Sequence, residues 1–279
     1  MVPGAAYVKS TGRYFRWLLI ACLLLPASPF AATQAPPLQV LVADVWPWSY
    51  RNDEDQLQGL LVDLFRELEA MTGQSMELRL LPHQRVLLEL EQGLGDVSIL
   101  FANPAVDNFA ERSTHVLQSR FFLMAPQARK DELSLDGLAG ESVGFIRGTF
   151  YGAAFEANRS IIKVPVSSLE QGVMMLKAGR LHAMISSEQL VYHTLKDLAL
   201  SREDWRLELH SEKQMAYLYR HRQNVPASRV EPLVVAIEQL RANGELQYLV
   251  GVPPLDQSPA VYSPADRQSS LVPPLPEPD

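Results

Sequence analysis

The spacing of apolar and polar positions marks out alternating strands and helices from residue 39 onward. Residues 39–45 alternate as a strand does and end in the aromatic turn Trp46-Pro47-Trp48-Ser49-Tyr50, followed by a polar, hairpin-like stretch over 51–58. A helix is predicted over 60–71 between Gly59 and Gly73, because Leu61, Leu64, Phe65 and Leu68 share one face. A strand over 76–81 and a helix over 85–92 follow. One pattern then occurs twice: an apolar helical run, a glycine, two residues, a polar residue and a short apolar strand. The first copy runs through Gly93 and Asp96 into 97–100, the second through Gly179 and His182 into 183–185, 86 positions apart from glycine to glycine. Each copy reads as a helix stopped by a C′ glycine that feeds a buried strand, half of a parallel β-α-β unit.

The second region begins near Ala125 and predicts a strand over 142–146, with Gly148-Thr149 opening a helix. A strand over 161–166, a helix through Lys177, a strand over 181–185 and a helix from about Ser187 complete it. A strand over 215–220 and an amphipathic helix over 231–242, closed by Gly244, end the patterned part. Such alternation indicates an α/β fold with parallel-rich sheets flanked by helices, and two copies of the half-unit indicate two similar lobes.

Composition adds the compartment. With 279 residues, 47% of them hydrophobic and 20% charged, the chain is long enough for two modest globular domains. Lys9, Arg13 and Arg16 precede the apolar run 17–25, and small residues follow, so residues 1–32 read as a cleaved secretory signal peptide. The run is too short to span a membrane. Removing those three cations, with no acid among residues 1–32, takes the net charge from −7 to about −10 and argues against nucleic acid as a partner. Cys22 is the single cysteine; it stands either within the apolar core of the leader or, in a loose lipobox, as a lipid anchor. Eight of the 20 prolines fall in the 252–279 tail, which has few large apolar residues and is expected to be disordered.

In order and approximate spacing, Trp46-Pro47-Trp48-Ser49-Tyr50, Gly59-Leu60-Leu61-Val62-Asp63, Gly93-Leu94-Gly95-Asp96, Gly140-Glu141-Ser142-Val143-Gly144-Phe145-Ile146-Arg147-Gly148-Thr149 and Gly179-Arg180-Leu181-His182-Ala183 resemble bacterial extracellular solute-binding proteins of family 3. These are the periplasmic amino-acid-binding class. The resemblance spans 39–251 and implies a two-lobed type II periplasmic-binding-protein-like fold with two hinge crossings. Lobe 1 would comprise 36–124 plus 210–251, lobe 2 residues 125–209, closing on a ligand at the hinge. It implies a small polar, amino-acid-like ligand or related organic anion, an inner-membrane ABC permease as partner, a monomer, no cofactor and no enzymatic activity.

Candidate site residues follow from chemistry and resemblance together. Gly148-Thr149 would offer backbone N–H groups and a hydroxyl at a helix N-terminus, suited to a carboxylate; the alternative is an ordinary helix cap. Trp46 and Trp48 follow a strand C-terminus, where open α/β sheets bind ligands, or else pack beneath the hairpin. Where the family has small hydroxylated residues and a carboxylate-gripping arginine, this chain has Phe101, Asn103 and a late Arg112, which either serves the ligand or is a solvated loop charge. Where the family has an acid for the ligand's amine, it has Ser187, with Glu188 one place on. Either the ligand is not a standard α-amino acid or Glu188 takes over the role.

Enzyme constellations are sparse. The six histidines show no metal-ligand spacing, and there is no Gly-x-Ser-x-Gly elbow or P-loop. Two other classes stay open: a dehydratase-like enzyme using Glu188 or His182 as its acid, and a sensory binding protein for a membrane partner.

Overall fold

Both faces of the first strand are buried, which sets the layering. In the computed structural model, which describes residues 36–251, β1 (Leu38–Ala43) turns Leu38, Val40 and Val42 into one apolar cluster and Leu41 into another. A strand buried on both sides needs helices on both sides. The leader with Cys22, and the 252–279 tail, lie outside the described residues.

The hairpin β2 (Tyr50–Arg51) and β3 (Leu57–Gln58) leads to α1 (Leu60–Thr72), β4 (Met76–Leu81), α2 (His83–Glu91) and β5 (Val97–Phe101). After the long β6 (Ala110–Pro126) come β7 (Ser142–Ile146), α3 (Ala153–Ala157), β8 (Ile162–Val166), α4 (Leu169–Lys177), β9 (Ala183–Ser187) and α5 (Glu188–Asp197). A second long strand, β10 (Trp205–His221), precedes α6 (Ala227–Ala242) and α7 (Glu245–Val250).

Among the described residues eight strands form one sheet in the order β4-β1-β5-β10-β6-β9-β7-β8. The order reads alike from either end. In a first half β1 lies parallel between β4 and β5; in a second half β7 lies parallel between β8 and β9. The halves meet at β10 and β6, which pair antiparallel with each other and with β5 and β9 respectively. Pro165 is accommodated because β8 is an edge strand.

The duplicated pattern has a shared geometry. Gly93 and Gly179 take left-handed φ values of 68° and 66°. Their N–H groups donate to Leu90 and Leu176 at 3.1 Å each, and the next N–H groups, of Leu94 and Arg180, reach back to Glu89 and Met175 at 2.9 Å each. This is the Schellman closure, and it delivers both chains to the inner strand with the same exit direction.

The structure departs from the sequence pattern in four places. The strand expected over 215–220 extends back to Trp205, and its partner β6 is not marked by periodicity. The strand expected over 181–185 begins at Ala183, because Leu181 and His182 belong to the loop leaving the glycine cap. The last long helix starts at Ala227, with Pro226 as its N-cap. No helix opens at Gly148-Thr149: positive φ at Gly148 (99°) and Gly152 (98°) keeps the chain non-helical, so α3 begins only at Ala153.

Candidate functional site

A cleft of about 600 Å³, open mouth included, lies where the carboxyl ends of the inner and central strands of both halves converge. Ala43, Leu100 and Phe101 come from the ends of β1 and β5, Ile146 and Ser187 from the ends of β7 and β9, and Leu117 and Ala216 from the two crossing strands. Strand carboxyl ends leave unpaired backbone and freely chosen loop residues, which is why open α/β sheets bind ligands there.

The aromatic turn is held in place by the helix that follows it. The Leu60 N–H donates to the Pro47 carbonyl at 3.0 Å and the Leu61 N–H to the Trp48 carbonyl at 2.8 Å, so carbonyls of the turn occupy the donors at the start of α1. Trp48 is thereby turned into the cleft, where it meets Phe101 edge-on with centroids 6.4 Å apart. Phe101 in turn meets Phe121 at 5.0 Å, and Phe121 meets Tyr151 at 5.3 Å, a run of rings that passes from the first half to the second.

The polar groups of the cleft are few and neutral. His83 opens α2 and approaches the 148–149 turn of the opposite half, with Nδ1 3.5 Å from Thr149 Oγ1. Burial pushes its imidazole down to about 4. The buried Tyr151 hydroxyl accepts from the Ile146 N–H at 3.2 Å, and desolvation raises its pKa far above the phenol range. Ser187 caps α5, its hydroxyl accepting from the Leu190 N–H at 3.4 Å. Among the described residues no group of three His, Cys, Asp or Glu side chains gathers as metal ligands would.

Of the residues singled out by sequence, Trp48, Phe101, Thr149 and Ser187 line this cleft together. The other four do not line it, although Asn103 lines a small adjoining pocket with His83, Phe101 and Thr149. Trp46 meets His193 of α5 edge-on at 5.9 Å. The Asn103 side chain accepts from the Ala105 N–H at 3.0 Å, closing its own turn. Arg112 is locked onto Asp107 at 2.8 and 2.5 Å and onto the Tyr219 hydroxyl at 3.1 Å. Glu188 forms a two-pronged pair with Arg120, whose Nε donates at 3.0 Å. Thr149 does not offer a free N–H in the expected manner, because that group turns back toward the Ile146 carbonyl at 3.4 Å and the helix starts later. His83, Tyr151 and Leu117 are cleft residues that no motif pointed to; the one available signal for His83 was its place directly after a strand and Pro82.

No family model and no curated protein matches the sequence. Solved structures do match in shape. An ancestral arginine-binding protein bound to arginine superposes with a TM-score of 0.67 at 15% identity, over 77% of this chain and 97% of that one. The fold is that of the two-lobed periplasmic binding proteins. The same fold relates it to an amino acid ABC transporter substrate-binding protein, AbpA, from Streptococcus pneumoniae bound to L-arginine (TM-score 0.64, 18% identity, 77% and 92% covered). A histidine kinase sensor domain with similarity to periplasmic binding proteins also matches (TM-score 0.66, 15% identity, 83% and 99% covered).

Proposed function

We propose that this chain is an extracytoplasmic solute-binding protein of the family 3 type, a monomer that captures a small molecule between its lobes and presents it to a membrane partner, an ABC permease. The lobes in this reading are 36–124 plus 210–251 and 125–209. The observation that carries it is the cleft: its walls come from strand ends of both halves and its floor from the two strands that join them, so a bound molecule would touch both halves at once. A ligand that bridges two bodies favours their closed arrangement by its differential contacts. The signal-peptide pattern of residues 1–32 supports the compartment.

The same cleft supports binding over acid-base catalysis. Its titratable groups are His83, held neutral, and Tyr151, held protonated. The acids an enzyme would need are occupied elsewhere: Glu188 is paired with Arg120, and His182, at the opposite end of β9 from the cleft, pairs with Glu141 at 2.5 Å.

The test is a thermal-shift screen of amino acids, organic acids and small aromatic compounds on the full exported protein. A ligand at a hundred times its Kd adds about 2.7 kcal/mol, read as a Tm rise of several degrees. Ala216→Phe, which fills the cleft floor, should abolish that rise. An undiminished response in the variant would place binding outside the cleft and overturn the reading.

A further inference from the structure

The lining of the cleft contains no aspartate, glutamate, lysine or arginine among the described residues. The charges that could have held an ionic ligand are consumed in internal pairs: Arg112 by Asp107 and Tyr219, and Glu188 by Arg120. The walls are instead aromatic and aliphatic, with Trp48 and Phe101 set edge to face at 83° and Leu117 and Ala216 behind them. Among the described lining side chains the hydrogen-bonding groups are neutral: the Thr149 hydroxyl beside His83, the Tyr151 hydroxyl and the Ser187 hydroxyl. Asp44 and Arg147 stand on the exposed rim of the adjoining mouth, where water already solvates them.

We propose that the ligand of this cleft is a neutral, largely apolar ring compound with one hydrogen-bonding end, of the chemistry of a phenol or an indole, and not a zwitterionic amino acid. The inference rests on the binding reading above and narrows it. A zwitterion seated in this space would lose the hydration of both its charges and meet no opposite charge among the side chains that line it, a penalty that apolar contact with its side chain does not offset. A flat ring loses little hydration and gains edge and face contacts with Trp48 and Phe101. Its single polar group finds a donor and an acceptor at Thr149 and His83, since a neutral imidazole can serve as either.

The test pairs compounds that share a ring and differ in the zwitterionic head: 3-methylindole against L-tryptophan and p-cresol against L-tyrosine, titrated by calorimetry into the full exported protein and into its Ala216→Phe variant. The expected result is binding of 3-methylindole and p-cresol at least about a hundredfold tighter than of their amino-acid partners, lost in Ala216→Phe. Thr149→Val should weaken p-cresol about five- to tenfold and leave toluene unchanged, because only the former has a hydroxyl to lose. If L-tryptophan, L-tyrosine or L-arginine binds as tightly as the neutral rings and Ala216→Phe abolishes it, the ligand class is wrong while the cleft stands as the binding site. Loss of that amino-acid binding in Arg147→Ala would trace the error to a head group held at the rim. If no compound of either kind binds, or if Ala216→Phe changes nothing, the ligand class falls together with the cleft reading.

Discussion

The two halves of the sheet make one contact with its partners exchanged. In the first, Gly95 of the loop before β5 lies against Leu41 of β1, so close that a Cβ there would meet Leu41 Cγ at 2.3 Å. In the second, the position equivalent to Gly95 is Leu181 and the position equivalent to Leu41 is Gly144 of β7, where a Cβ would meet Leu181 Cδ1 at 2.7 Å. A leucine over a glycine in one half is a glycine over a leucine in the other. What persists between the halves is the filled volume and the Schellman exit that aims the loop, not the residue at either place. The polar residue of the pattern varies as freely. Asp96 and His182 both use their backbone N–H on the start of the central strand, donating to Gln39 at 2.8 Å and to Ser142 at 2.9 Å. Their side chains then diverge: the Asp96 carboxylate accepts the Gln39 N–H at 2.9 Å, whereas the His182 ring sits between Ser142 and Glu141 at the surface.

The exchanged contact is the most sensitive point of that comparison. Leu41→Ala should cost about 3 kcal/mol as a core truncation and Gly95→Ala about 2 kcal/mol as an overpacked one. The double variant should be more stable than the sum by at least about 1 kcal/mol, because Leu41→Ala removes the atoms the new methyl strikes. Strict additivity in denaturant unfolding would break the equivalence. The mirrored pair, Gly144→Ala with Leu181→Ala, should show a smaller rescue, since Met184 Sδ remains 2.5 Å from the added Cβ.

Each half also contributes one half-buried histidine that faces the other half. His83 lies under the 148–149 turn, and His193 lies against Trp46. Burial lowers both from 6.5 to about 4, with Lys196 adding to the effect at His193. Between those values the unfolded chain binds more protons than the folded one. Stability is therefore full above about pH 6.5 and falls as the pH drops toward about 4, by about 2 kcal/mol or more for each histidine. His83→Gln and His193→Gln should each flatten the loss in Tm measured across that range; an unchanged slope would show that the rings are solvated. The smallest contrast concerns the polar residue of the pattern. Asp96→Ala strands a backbone N–H and should cost about 1 kcal/mol, whereas His182→Ala should cost less than about 0.5 kcal/mol, because it breaks a half-exposed pair. Equal losses by chemical denaturation would mean that the side-chain halves of the two clamps are equivalent after all.

The sequence revealed what is local. The helix stops at Gly73, Gly93 and Gly179, the strand at Met76–Leu81 and the placement of Trp48 at a strand end each depend on neighbours within a few residues. The crossing strands were hidden because each passes through several surroundings. In β6, Glu111, Arg112 and Ser113 stand at a partly exposed end, while Phe121 to Ala125 are buried without a break, so no single period holds. The charged site candidates lie outside the cleft lining for a related reason. Arg112 and Glu188 have the right chemistry for a ligand, but Glu188 is matched by Arg120, 68 positions away, and that pairing exists only in the folded chain.

The crossing strands have a consequence for how such a molecule can be rebuilt. The chain enters the second half along β6 and leaves it along β10, and Ser119 and Gln214 lie side by side in the ladder where the register between the two strands is irregular. Everything between those two residues is a closed excursion whose ends are one strand spacing apart, about 4.8 Å. A different second half with the same end-to-end distance could be spliced in at that point as a cassette, leaving the sheet order of the first half untouched.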